Sequence, residues 1–207
     1  MSTRGTFLAA LALAAVLPIS QAEAREHIYI SPMAGYTTSG GLEMEDPLLR
    51  NVNVGPSFTW GGQIGFVAHP GFTFEASYMQ QEAHLRNGSQ DILGLQVGQL
   101  HGNFLFEKLR YGTKMNPYFL LGLGATFFNP EGDFEGKTNF SFSLGAGIKI
   151  DTSDKLGIKI QGKYNPTTLS SDFGGVWCDP FYCYEVADPE YLDQGEFTAG
   201  LMYKLGQ

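Results

Sequence analysis

The segment Asn139–Ile150 reads NFSFSLGAGIKI. Phe140, Phe142, Leu144, Ala146, Ile148 and Ile150 take every second place, and Asn, Ser, Gly or Lys fills the gaps. Alternation of period two marks a β-strand with two unlike faces. A soluble sheet would turn the large side chains to its core and show the other face to water. Here that other face is mostly Ser and Gly, which makes a poor soluble surface.

The pattern recurs along the chain. It predicts eight strands, over 28–37, 58–68, 72–80, 92–106, 118–128, 139–150, 156–164 and 195–205. The fourth is the weakest, with a usable part of Leu100, Phe104 and Phe106 against Gln99, His101 and Asn103. On these bounds the links after strands one, three, five and seven hold about 20, 11, 10 and 30 residues, and the others about 3, 11 and 5. An even number of strands with longer loops on one rim is the plan of an outer-membrane barrel. Lipid tolerates only a closed sheet, because an open edge leaves backbone groups unpaired. The expected fold is therefore all-β, an eight-stranded antiparallel up-and-down transmembrane β-barrel with both termini at the short-turn, periplasmic rim. The apolar parity faces lipid, and the small and polar parity fills a narrow interior. Phe58, Trp60, Tyr78, Phe127, Phe128, Tyr164, Phe197 and Tyr203 are placed to form interfacial aromatic girdles. A lipocalin-like barrel would need the Ser/Gly face outside, and that face is too poor in charge for water.

The N-terminus agrees with export. Arg4 precedes the apolar run Phe7–Ile19, and cleavage sites follow after Ala22 or Ala24. This reads as a signal peptide over 1–24, with the barrel domain over 25–207. The run is too short to span a bilayer as a helix. A net charge of −8 offers no basic patch for nucleic acid. Cys178 and Cys183, in WCDPFYC, suit a local disulfide in an exported chain. No metal or cofactor site is expected.

The stretches IYISPMAGY, GGQIGFVAHPGFTFEASY, MNPYFLLGLGA and SFSLGAGIKI resemble the outer-membrane-protein-A-like family of eight-stranded barrels. The likeness spans the whole chain after the signal peptide. It implies a structural barrel, an adhesin or opacity protein, or a small pore. It also implies contact with outer-membrane lipid and lipopolysaccharide, and with the barrel-assembly machinery during biogenesis. In such proteins a last strand ending in an aromatic residue is the assembly signal. Here GEFTAGLMYKLGQ keeps Phe197 and Tyr203 in the right parity but ends Leu205-Gly206-Gln207.

Inward parity puts Glu75, Lys159, Lys163, Glu196, Gln63, Gln161 and His101 inside the barrel. Buried charges must pair. The expectation is that Glu75 meets Lys159 or Lys163, joined by Gln161 and Gln63, with Lys163 and Glu196 on neighbouring strands near the outer rim. The network reads as a plug, with a narrow ion or small-solute pore as the alternative. Some eight-stranded outer-membrane barrels are lipid A enzymes built on a His with Ser or an acid near the outer rim. The nearest set here is His84 with Glu82, Ser89 and Asp91 in the segment QEAHLRNGSQD, read as the second outer loop, and its spacing does not demand catalysis. The last outer loop carries Trp177, Phe181, Tyr182 and Tyr184, candidate anchors for a surface or host ligand. Its acids, with Glu43, Glu45 and Asp46 of the first loop, are fit to gather calcium or to bridge lipopolysaccharide. The expected function is a structural or surface-interaction role without catalysis.

Overall fold

A computed structural model describes residues 27–39, 41–42, 52–69, 71–87, 90–107, 114–130, 136–168, 176–178, 183–185 and 191–205. The segment 1–24, expected from the sequence to be a signal peptide, lies outside the described residues. Eight long strands form the wall: β1 (His27–Ser39), β2 (Ser57–His69), β3 (Phe72–Asn87), β4 (Gln90–Glu107), β5 (Met115–Pro130), β6 (Lys137–Asp151), β7 (Leu156–Tyr164) and β8 (Gln194–Leu205). Each pairs antiparallel with the next, and β8 closes the ring on β1 through pairs such as Tyr36 with Phe197.

The register fixes the shape of the ring. Starting from Gly35 and stepping through Thr59, Gln81, Val97 and Phe128, the row reaches Lys137 on β6. Stepping the other way through Thr198 and Gln161, it reaches Gly147 on the same strand. The displacement from 137 to 147 is a shear of ten residues. For eight strands that shear means a tilt of about 40° and an interior only wide enough for side chains.

The two faces divide as the alternation requires. Ile28, Ile30, Ile64, Leu121, Leu123, Phe142, Ile160 and Leu201 are exposed on the outside. Ser31, Gln63, Ser77, Ser141, Ser143, Gln161 and Thr198 are buried within. Outside, the rings of Phe72, Phe74, Phe104 and Phe106 pack against one another, with centroids 4.8–6.1 Å apart. The short rim turns tightly. Gly71 adopts φ +96°, where a side chain would be strained, and its carbonyl accepts from the Glu107 N–H at 2.8 Å. At the β6–β7 turn the Thr152 and Ser153 amides both donate to the Leu156 carbonyl.

Several expectations are corrected. The segment 81–91, read as an outer loop, is mostly strand: β3 runs to Asn87 and β4 begins at Gln90. Period two continues there, but the polarity reverses. Ala83, Leu95 and Val97 point in, while Glu82, His84 and Gln96 point out. Strands of 16 and 18 residues exceed the span of the hydrocarbon layer, which a tilted strand crosses in about 9–11. Their upper ends therefore stand in water, where an apolar interior and polar exterior is favoured. The same reversal explains the weak pattern of the fourth strand. It also turns Phe128, read as a girdle residue, inward: it is buried against Leu95, Val97 and Leu192. The long β7–β8 connection is itself partly paired, since Thr167–Thr168 bridges β6 at Ser141 and the strand Tyr191–Leu192.

The assignment of faces predicts that Leu121→Arg, which puts a charge on the lipid side, destabilises the barrel by about 2–4 kcal/mol. Urea titration in lipid vesicles measures this, and a neutral effect would mean that Leu121 does not face hydrocarbon.

Candidate functional site

The interior holds polar groups at successive depths, interleaved with the buried Met33, Met79, Leu105, Leu120 and Met202. At the short rim Lys149 lies 2.6 Å from Glu107, whose Oε1 also accepts from the Thr73 hydroxyl at 2.6 Å. Above this pair lie the rings of Tyr29 and Tyr118. Lys149 Nζ sits 4.4 Å from the Tyr29 centroid and 5.7 Å from that of Tyr118. Lys159 Nζ, from β7, approaches the same rings at 5.6 and 5.3 Å. Two ammonium groups thus share two aromatic faces, an electrostatic attraction strengthened by burial. Each ring lies over a glycine directly opposite in register: Tyr29 faces Gly65 and Tyr118 faces Gly147. A Cβ at Gly65 would come within 2.1 Å of the Tyr29 ring, and one at Gly147 within 2.4 Å of the Tyr118 hydroxyl. The strands keep these positions bare so that the rings can lie flat.

The next layer is the ion pair of Lys159 and Glu75, both fully buried. Lys159 also donates to Gln63 Oε1 at 2.7 Å, and Tyr29 donates its hydroxyl proton to Glu75 at 2.6 Å. Tyr118 donates to Gln161 Oε1 at 3.1 Å. Higher still, Lys163 stands 3.0 Å from Glu196. His101 Nε2 is 2.9 Å from Ser141 Oγ. Gln99 donates to Gln194 at 2.6 Å and accepts from Asn165 at 2.9 Å. Thr126 and Thr167 pair at 2.9 Å. Above these polar layers the cluster of Leu95, Val97, Phe128 and Leu192 fills the bore.

The structure therefore gathers Glu75, Lys159 and Gln63 into one cluster. It gives Lys163 to Glu196 instead of Glu75, and places that pair beneath further polar layers and the apolar cluster rather than at the rim. Gln161 joins Tyr118 rather than the Glu75 pair. Four participants in these lower layers lie beyond the expected network: Glu107, Tyr29, Tyr118 and Lys149. The signal was present, because Tyr29, Tyr118 and Lys149 occupy the inward parity of their strands, where a large polar group must find partners.

Outside the bore, His84 and Glu82 are exposed on β3. Ser89 and the side chain of Asp91 lie outside the described residues. Backbone pairing sets Cys178 directly opposite Cys183 and Trp177 opposite Tyr184 in a small hairpin. Phe181 and Tyr182 lie outside the described residues, as do Glu43, Glu45 and Asp46. Among the described residues no three His, Cys, Asp or Glu side chains are grouped to hold a metal ion.

A family model for the outer membrane protein beta-barrel domain matches residues 7–204. The fold is similar to the crystal structure of Neisserial surface protein A, with a TM-score of 0.61 at 12% identity, over 86% of this chain and 97% of that one. It is also similar to the outer membrane protein OprG from Pseudomonas aeruginosa, at 0.55 and 9% identity, over 89% and 97%. A major outer membrane protein from Thermus thermophilus follows at 0.50 and 13% identity, over 86% and 99%. Comparison of the sequence with curated proteins finds no match.

Removing one member of the buried pair leaves the other charge uncompensated. Glu75→Ala is expected to destabilise the barrel by about 3–5 kcal/mol, and Glu75→Leu combined with Lys159→Met to recover most of that loss. Denaturant midpoints of the three proteins decide it. Equal losses in the single and double variants would show that the pair is not the unit.

Proposed function

The chain belongs to the outer membrane protein β-barrel family and lies in the outer membrane of a Gram-negative bacterium, and on that premise we propose that it is a closed barrel serving a structural or surface-interaction role, without catalysis. The observation that carries this reading is the filled bore. Three Lys–Glu pairs, two buried tyrosines that share the lysines, and an apolar cluster fill it. An interior just wide enough for side chains, once filled, has no continuous path for a hydrated ion. The runner-up is a narrow pore, favoured by the polar lining itself.

What the protein does, on this reading, it does at its outer end. The β3–β4 hairpin carries Glu82, His84 and Gln96 outward above the bilayer. The long β7–β8 connection carries Trp177, Phe181, Tyr182 and Tyr184, whose aromatic character suits contact with a partner. The directly opposed backbones of Cys178 and Cys183 support a disulfide that would tie this tip. Lipopolysaccharide is the neighbour that this end meets in any case. Both termini belong to the periplasmic rim in this orientation, with the segment 1–24 removed on export and the assembly machinery reading the last strand.

Planar-bilayer recording of the purified protein is the test. The expected result is no steady ion current. Regular conductance steps that change with Glu75→Ala would establish the pore and end the closed-barrel reading. Thiol titration of the denatured, unreduced protein is expected to find no free cysteine, and two free thiols would remove the disulfide.

A further inference from the structure

The lipid-facing wall is not smooth. On the arc of β6, β7, β8 and β1 it sinks into a groove of about 430 Å³. The floor is Ala34, Ala146, Gly162 and Ala199, all at outward positions of their strands. The register sets them side by side: Ala146 opposes Gly162, and Ala199 opposes both Ala34 and Ile160. Phe197 closes the outer end of the groove. It opposes Gly162, and a Cβ at that glycine would lie 3.1 Å from the Phe197 ring. At 69% exposure, Phe197 is the most exposed of the large apolar side chains described. Ile148 and Ile160 flank the groove on its short-rim side.

This face lies in hydrocarbon, so what fills the groove is hydrocarbon. In lipid, close packing rather than apolar burial holds a partner to a wall, and small residues let it approach. The depth of the groove suits one acyl chain. Gly162 stands six places above Leu156, the first residue of β7 at the short rim. That is about 20 Å of strand. Tilted by about 40°, it rises roughly 15 Å, half the thickness of the hydrocarbon core.

Charge selects the headgroup and its leaflet. Beneath the groove the short rim is basic. Lys155 lies in the β6–β7 turn, Lys114 precedes β5 and Lys204 is near the end of β8. Lys114 and Lys155 are exposed, and Lys204 stands 2.8 Å from Asp151. Lys108 and Arg110 belong by sequence to the same β4–β5 link as Lys114. Against these stand Asp151 and Asp154, while Glu107 is taken by Lys149. The other end has the opposite character. The connection 165–194, which joins β7 to β8, holds six acids and neither Lys nor Arg. A negative headgroup is drawn to the first end and repelled by the second.

We propose that this groove is the site of one anionic glycerophospholipid. Its phosphate rests on the short-rim lysines, and one acyl chain runs up the wall over Ala199 and Gly162 to Phe197. This rests on the placement of the short rim at the periplasm and adds a resident lipid of that leaflet, held on the outer wall and independent of the bore.

The test uses the full chain in vesicles of equal parts phosphatidylethanolamine and phosphatidylglycerol. The protein is extracted in mild detergent, and native mass spectrometry counts the lipid that stays bound. Heat-dependent gel mobility checks that each variant has folded. The wild type is expected to retain one phosphatidylglycerol, at least about fivefold over phosphatidylethanolamine. Ala146→Leu with Ala199→Leu fills the groove with side chains that hydrocarbon accepts, and retention is expected to fall at least about fivefold. Lys114→Gln with Lys155→Gln is expected to bring the headgroup preference below about twofold, which also locates the phosphate at the short rim. Ala76→Leu with Ala125→Leu, outward positions away from the groove, is expected to change neither. Undiminished retention in the filled variant, no headgroup preference in the wild type, or an unchanged preference in the lysine variant overturns the proposal. So does an equal loss in the control pair. The vesicles offer the same lipids to both ends, so the counts do not depend on orientation. Ion current through the wild type would sink the closed-barrel reading and leave these counts untouched.

Discussion

Hydrocarbon offers no hydrogen bonds, and that constraint governs everything else in this molecule. A sheet placed in lipid must pair every strand on both sides, so it must close. Here closure is made by β8 returning to β1, from Ile28 with Leu205 at one end to Ser39 with Gln194 at the other. Once eight strands close with a shear of ten, the diameter is set, and the interior is too narrow for a lumen and too large to leave empty. The inward side chains must then both fill a volume and satisfy their own polarity. Gly65 and Gly147 show how the wall gives way where Tyr29 and Tyr118 need space.

The interior solves its electrostatic problem by balance. Glu107, Glu75 and Glu196 each hold one lysine. None of the three lysines is left to carry a bare charge in a low-dielectric bore, where the desolvation cost would be several kcal/mol. The aromatic rings between Lys149 and Lys159 let two cations stand close without meeting directly. Above the bilayer the solution changes. There the wall meets water outside, and an ordinary apolar core of Leu95, Val97, Phe128 and Leu192 becomes the favoured filling. One barrel thus contains two folding problems, one with lipid and one with water as the outer solvent.

That change of solvent marks the limit of what pattern reading could reach. Within the bilayer the parity of Phe140, Phe142 and Leu144 against Ser141 and Ser143 gave the faces directly. Above it, Glu82 to His84 and Leu95 to Val97 keep the same period with the polarity reversed, so the segment reads as a loop. Phe128 was misplaced for the same reason: an aromatic at a strand end reads as a girdle residue unless one knows that the strand has already left the membrane. Among the interior charges, parity identified which side chains share the bore but not which of them meet. Lys159 and Lys163 lie on one strand with the same parity and look equivalent in sequence. Their partners depend on where β3 and β8 stand in the closed ring.

The sequence by itself determined the solvent and the wall: eight amphipathic strands, apolar outside, small and polar within, in a chain headed for export. A local period of two is enough for that, because each side chain's face depends only on its own strand. The tertiary structure alone decided the depth of each residue and its neighbours across the bore. Those depend on the shear, which sums the register of all eight pairings and appears in no single segment. It is the shear that brings Lys159 to Glu75 across the bore, that lays Tyr29 and Tyr118 between two lysines, and that lifts Phe128 out of the bilayer to close the top, whereas Lys163 meets Glu196 through the β7–β8 register alone.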